Sequence, residues 1–210
     1  MIRIGLLLKN SFVIILLAVA LIRCDSRKYL SPEEINKFVA DEANGLVQKA
    51  ELNGYAITVT YRPTDLWIYQ ETGSLVVDTA AYSALNKKYK DYYYFILSLS
   101  KNNKEALHQV EGGMGQYSEL VQTMSFRMGE FVNLTTSAQD TIPTGDFMLN
   151  RTYGLSDATN LLFVFNKEKA KGREWVQFNL NEFGLGVGNQ RFRFRTEDLE
   201  YAPKIKFEIE

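Results

Sequence analysis

Leu46-Val47-Gln48-Lys49-Ala50-Glu51-Leu52-Asn53-Gly54-Tyr55-Ala56-Ile57-Thr58-Val59-Thr60-Tyr61 is a pair of alternating runs around an Asn-Gly step. Asn and Gly tolerate the positive backbone dihedrals of a tight turn, so the stretch predicts a β-hairpin of Leu46–Leu52 against Tyr55–Tyr61. Helical signals lie on either side. Upstream, Ser31-Pro32-Glu33-Glu34 has a capping serine, a proline suited to the first turn and a glutamate at the capping-box position. Ile35, Phe38 and Val39 then share a face, and Asn44-Gly45 is the expected stop. Downstream, Pro63-Thr64-Asp65 opens a short helix running toward Gly73, and a second helix is expected from Asp78 to Lys90. Tyr92–Ser100 returns to alternation, with Phe95, Leu97 and Leu99 on one side.

Gly112, Gly113 and Gly115 break the chain before a stripe of Tyr117, Leu120, Val121, Met124 and Met128 at helical spacing. Such a stripe is what a helix packed on a sheet requires, so it is read as core. The second half is then β. Strands are expected at 132–135, 147–153, 161–165, 175–180, 190–195 and 204–209, with turns at 140–145, 154–159 and 167–173. Connections this short favour antiparallel pairing, because a parallel pair needs a long crossover. The expectation is an α+β domain: N-terminal helices and a β-hairpin, then a mainly antiparallel sheet with helices packed on one face.

The N-terminus reads as an address. Met1–Lys9 carries Arg3 and Lys9, Ser11–Ile22 is almost wholly apolar, and the only cysteine, Cys24, stands where that run stops. This is the order of an export signal. Ordinary cleavage after Ala18-Val19-Ala20, or retention as a membrane helix, are the alternatives to cleavage at Cys24. The organisation expected is a signal peptide at 1–23, a tether at 24–30 and one domain at 31–210. Losing the leader removes Arg3, Lys9 and Arg23 and no acid, so 24 basic residues become 21 against 25 acidic ones. A net charge of −4 disfavours nucleic acid as a partner.

No set of residues defines a catalytic centre. His108 is the only histidine, and with one cysteine the chain lacks the ligands of a dedicated zinc site. Neither a metal site nor a cofactor is expected. Ser98-Leu99-Ser100-Lys101 matches S-x-x-K, but it ends an apolar strand and no K-T-G follows. Leu75-Val76-Val77-Asp78-Thr79-Ala80 resembles the active-site turn of aspartic proteases with Ala80 in place of glycine. Asp78 is better read as a helix cap. Gly184-Leu185-Gly186-Val187-Gly188 leads into a strand, whereas a nucleotide loop must lead into a helix. That strand, Arg191-Phe192-Arg193-Phe194-Arg195, puts three arginines on one face, a candidate site for a carboxylate, phosphate or sugar acid. Asp146, Glu174 and Glu182 are the acids that would neutralise it. Tyr92-Tyr93-Tyr94 and Trp175 are candidates for stacking on glycan rings.

Leu21-Ile22-Arg23-Cys24 resembles the lipobox of bacterial lipoproteins, with Leu three places before Cys and Arg23 where the family has a small residue. The Tyr- and Asn-rich body is similar to uncharacterised envelope lipoproteins of Bacteroidota. The resemblance implies a diacylglyceryl group on Cys24 and residence in the outer membrane. Asp25 is followed by Ser26, Arg27 and Lys28 rather than by further acids, which favours the periplasmic face. The function expected is that of a non-enzymatic, membrane-anchored envelope lipoprotein that binds another envelope protein. A small-ligand or glycan binder is the alternative, and a hydrolase using Asp78 or Ser98 the third reading.

Overall fold

The computed structural model describes residues 28–210. The leader, Cys24 and residues 25–27 of the expected tether lie outside the described residues. Tyr29 and Leu30, also read as tether, form a short strand, β1 (Tyr29–Leu30), because the backbone here finds a partner near the C-terminus. In α1 (Pro32–Ala40) the capping box forms in both directions. Ser31 Oγ accepts the Glu34 N–H at 3.2 Å, and the Glu34 carboxylate accepts the Ser31 N–H at 2.9 Å. Ile35 and Val39 are buried, and Gly45 turns the chain at φ +72°.

The hairpin follows as β2 (Val47–Leu52) and β3 (Tyr55–Tyr61), in register from Leu52↔Tyr55 to Val47↔Thr60. Asn53 and Gly54 both have positive φ, as a two-residue turn of this kind demands. The chain continues through α2 (Thr64–Thr72), β4 (Val76–Val77), α3 (Thr79–Tyr89), β5 (Tyr92–Lys101), β6 (Lys104–Glu105) and α4 (Gly113–Phe126). Leu120 and Met124 of the α4 stripe are buried. Met128 is buried too, but in the 3-10 turn beyond the helix. Then come β7 (Val132–Thr136), β8 (Thr141–Pro143), β9 (Asp146–Asn150), β10 (Thr159–Asn166), β11 (Trp175–Leu180), β12 (Gln190–Arg195), α5 (Thr196–Glu200), β13 (Lys204–Ile205) and β14 (Glu208–Ile209).

The chain is thus α+β, and its larger strand pairings are antiparallel. Ten of the strands divide between two sheets, ordered β2-β3-β5-β10-β9 with β6 beside β5, and β12-β11-β7-β8; the other four form the separate pairs β1-β13 and β4-β14. Three strand assignments in the second half differ most from the sequence reading. The expected turn at 140–145 contains β8, because Ile142 is buried and lies opposite Leu134. The strand expected at 147–153 ends at Asn150. The stretch 204–209 is two dipeptide strands rather than one, since β13 pairs in parallel with β1 and β14 with β4.

The inner faces of the two sheets meet in an aromatic core. Phe95 lies 5.0 Å from Phe194, 5.8 Å from Phe178 and 6.1 Å from Phe165, ring centre to ring centre. Each fully buried phenylalanine contributes about 2–3 kcal/mol of transfer free energy. Helices α2 and α3 cover part of the outer face of the first sheet. There Ile68, Tyr89 and Tyr94 form a second buried cluster with Trp67 packed against it. The outer face of the second sheet is polar, and it carries the candidate arginines.

Candidate functional site

Strand β12 alternates as read: Phe192 and Phe194 enter the core, and Arg191, Arg193 and Arg195 are exposed. Arg193 stacks its guanidinium 4.0 Å from the Trp175 ring and donates to Gln177 Oε1 at 3.3 Å. Arg195 pairs with Glu197 at 2.7 Å and reaches Asp198 at 3.9 Å. Among the described residues Arg191 has no ion-pair partner. It lies opposite Asn179, which donates to Asn133 at 2.9 Å, so an arginine borders a ladder of side-chain amides. Of the acids expected to neutralise the face, Asp146 and Glu182 are placed otherwise, and Glu174 lies near Arg195 without pairing with it. Asp146 belongs to the first sheet and Glu182 to the glycine loop, while Glu197 and Asp198, two and three residues beyond Arg195, do the pairing. Glu174, Trp175, Arg195 and Tyr201 line an open cleft of about 640 Å³ at one end of the face. Its charges are of both signs, and one face of Trp175 is already occupied by Arg193.

The glycine loop is filled from within. Glu182 accepts the backbone N–H groups of Phe183, Gly184 and Gly186 at 2.8–3.1 Å, and that of Gly188 as well. Burial pushes the Glu182 carboxyl up, but these four donors outweigh it and hold the pKa below the ordinary carboxylate range. The loop has the donors of an anion-binding nest and supplies its own anion.

Other candidates are engaged structurally. Asp78 Oδ1 accepts the Ala81 N–H at 2.9 Å and caps α3. Ser98 donates to Asn160 at 2.6 Å. Lys101, three residues along the same strand, falls on the opposite face and pairs with Glu111 at 3.2 Å. Of the three tyrosines, Tyr93 packs in the main core and Tyr94 in the second cluster; only Tyr92 is exposed. Among the described residues no group of three or more His, Cys, Asp or Glu side chains is arranged to hold a metal ion.

His108 has a partner that sequence reasoning missed. Its Nδ1 lies 3.0 Å from Oε2 of the buried Glu105. The other Glu105 oxygen accepts the Gly154 N–H at 2.8 Å, the Ser156 N–H at 3.3 Å and the Thr152 hydroxyl. Burial raises the Glu105 pKa, and these donors with His108 lower it further than burial raises it. The space beside the pair is about 10 Å³, room for a water at most. The arrangement therefore fixes the 151–157 loop. Alternate residues of that loop point away: Tyr153 is 71% exposed and Leu155 93%, with the Arg151 guanidinium 5.1 Å from the Tyr153 ring.

A second cleft, of about 290 Å³, lies among Tyr61, Tyr93, Lys90, Lys167 and Lys204. Lys167 is half-buried there, and burial pushes its pKa down to about 8, with Asp91 and Glu200 opposing the shift. No signal in the sequence pointed to this residue. Its setting is assembled from segments far apart in the chain.

No protein-family model matches the chain, and no curated protein matches it. Among solved structures, a crystal structure of a novel protein of unknown function from Burkholderia pseudomallei is similar at 12% identity, covering 83% of this chain and 93% of that one, with a TM-score of 0.38. A likeness at that level leaves the functional reading to the residues themselves.

Proposed function

We propose that the protein is an exported lipoprotein of the cell envelope, held in the outer membrane through acylated Cys24 with its domain on the periplasmic face. The domain acts by binding another envelope protein rather than by catalysis. One observation carries the interaction reading. The 151–157 loop presents Arg151, Tyr153 and Leu155 to solvent while Thr152, Gly154 and Ser156 are held from beneath by Glu105. A loop ordered before its partner arrives loses little entropy on binding, and exposed Tyr and Arg are the residue types that concentrate interface energy.

The leader supports the anchor, because two or three acyl chains at about 0.8 kcal/mol per buried methylene hold a protein stably in a bilayer. Where the chain enters the domain agrees with it. The Lys28 carbonyl accepts the Lys204 N–H at 2.9 Å, so the fold begins four residues after Cys24 and its edge would stand within about 14 Å of the lipid attachment. The alternative, a binder of small anionic ligands or glycans, is favoured by the unpaired Arg191 beside the amide ladder.

Affinity purification of the intact protein from membranes, after mild crosslinking, tests both halves. A discrete envelope partner should be recovered with the parent protein and lost with Tyr153→Ala/Leu155→Asp. Mass spectrometry of the N-terminus should find acylated Cys24. A partner retained by the double variant sinks the loop reading, and an unmodified chain starting at Leu21 sinks the anchor.

A further inference from the structure

The 290 Å³ cleft is formed where the end of β3, the start of α2, the end of α3 and β13 converge. Lys167 Nζ donates to the Lys90 carbonyl at 3.0 Å and stands 5.0 Å from the centre of the Tyr93 ring. Lys90 and Lys204 complete the basic lining. Among the described residues none of the three has a carboxylate within ion-pair distance. Two acids also line the cleft. Asp65 is buried and accepts the Ile205 N–H at 2.9 Å on one oxygen, while Glu200 is exposed and acts on Lys167 from beyond ion-pair distance. A half-buried ammonium that has a carbonyl acceptor and an aromatic ring but no carboxylate within ion-pair distance is only partly compensated, Asp91 and Glu200 acting from farther off, and an incoming anion supplies what is missing. The kind of anion follows from the donors. Planar forked recognition of carboxylates is the work of arginine, and no arginine lines this cleft. Three lysines act as point charges, which suits a phosphate oxygen cluster.

We propose that the cleft between α3 and β13 is a binding site for a phosphate-bearing molecule of small polar character, held by Lys90, Lys167 and Lys204. The shared chemistry is a phosphate ester, whether on a soluble metabolite or in a lipid headgroup. Lys204 lies opposite Tyr29 in the β1–β13 pair, so the cleft adjoins the point from which the chain runs toward Cys24. The site itself does not depend on acylation.

The test uses the full protein in dodecyl maltoside, a detergent without phosphate. Calorimetric titration with glycerol 1-phosphate forms one arm, and micelles doped with short-chain phosphatidylglycerol form the other. Saturable binding is expected in at least one arm, weakening with salt, reduced about tenfold by Lys167→Met and largely kept by Lys167→Arg. Binding of the soluble ester identifies a metabolite site; binding of the doped micelles alone identifies a headgroup site. Absence of saturable binding in both arms overturns the proposal, as does undiminished binding by folded Lys167→Met. If that variant fails to fold, Lys204→Met gives the same reading. N-terminal mass spectrometry is independent of either arm, so failure of the anchor and failure of this site are distinguishable.

Discussion

Glu105 and Gly154, 49 positions apart, are joined by a hydrogen bond of 2.8 Å from the Gly154 N–H to the Glu105 carboxylate. Gly154 has φ +83°, and with Thr152 and Ser156 it wraps the loop around that one side chain. Glu105→Gln is expected to cost about 1.5–3 kcal/mol, the range for hydrogen bonds to a charged acceptor. Hydrogen exchange at the Gly154 and Ser156 amides should accelerate. Unchanged exchange there would show that something else holds the loop.

Acid should act through this loop and through the glycine loop around Glu182. In Glu105 and Glu182 burial raises the carboxyl pKa and N–H and O–H donors more than reverse it, so both titrate below their unfolded value of 4.5. Their stabilisation is present above that value and is lost as the pH falls through the lower folded values. The melting temperature should therefore decline below pH 4.5. A Glu105→Gln/Glu182→Gln variant should start lower and decline less; an equally steep profile in that variant would assign the acid response to other groups.

The core makes a stability prediction. Phe95→Ala removes a ring packed against rings from both sheets and should cost about 3–5 kcal/mol. Urea unfolding would show it as a lower midpoint with little change in slope. A loss below 1 kcal/mol would mean that the sheets repack around the gap.

Asp78 offers a small, specific effect. Asp78→Ala should cost about 1 kcal/mol as a lost N-cap, whereas Asp78→Ser, which keeps a short acceptor, should be nearly neutral. Equal losses in the two variants would give the carboxylate a role beyond capping.

What could be read in the sequence was local. The Asn53-Gly54 turn, the Ser31–Glu34 capping box, the Asp78 cap and the alternation of Arg191–Arg195 each rest on residues within a few positions of one another. The division of strands between two sheets is not local, since alternation says which residues face inward but not which strand they face. Residues 204–209 were read as one strand because nothing in that stretch announces two separate parallel partners, β1 and β4. The loop contacts of Glu105 were missed because they lie around position 154, whereas its pairing with His108, three residues on, was within reach of a local reading. Lys167 was missed because it meets Lys90, 77 residues away, only in the fold. Glu197 could have been found: an acid two residues after Arg195, at the start of a helix, is a visible counter-charge.

The β1–β13 pair has a mechanical meaning. A force applied through the N-terminal segment reaches the domain first at Tyr29↔Lys204 and Leu30↔Ile205, two residue pairs in parallel, and not at any hairpin. Peeling them would lengthen the leash by about 7–10 Å and leave both sheets whole. The domain would yield at its mooring before its interior felt the strain.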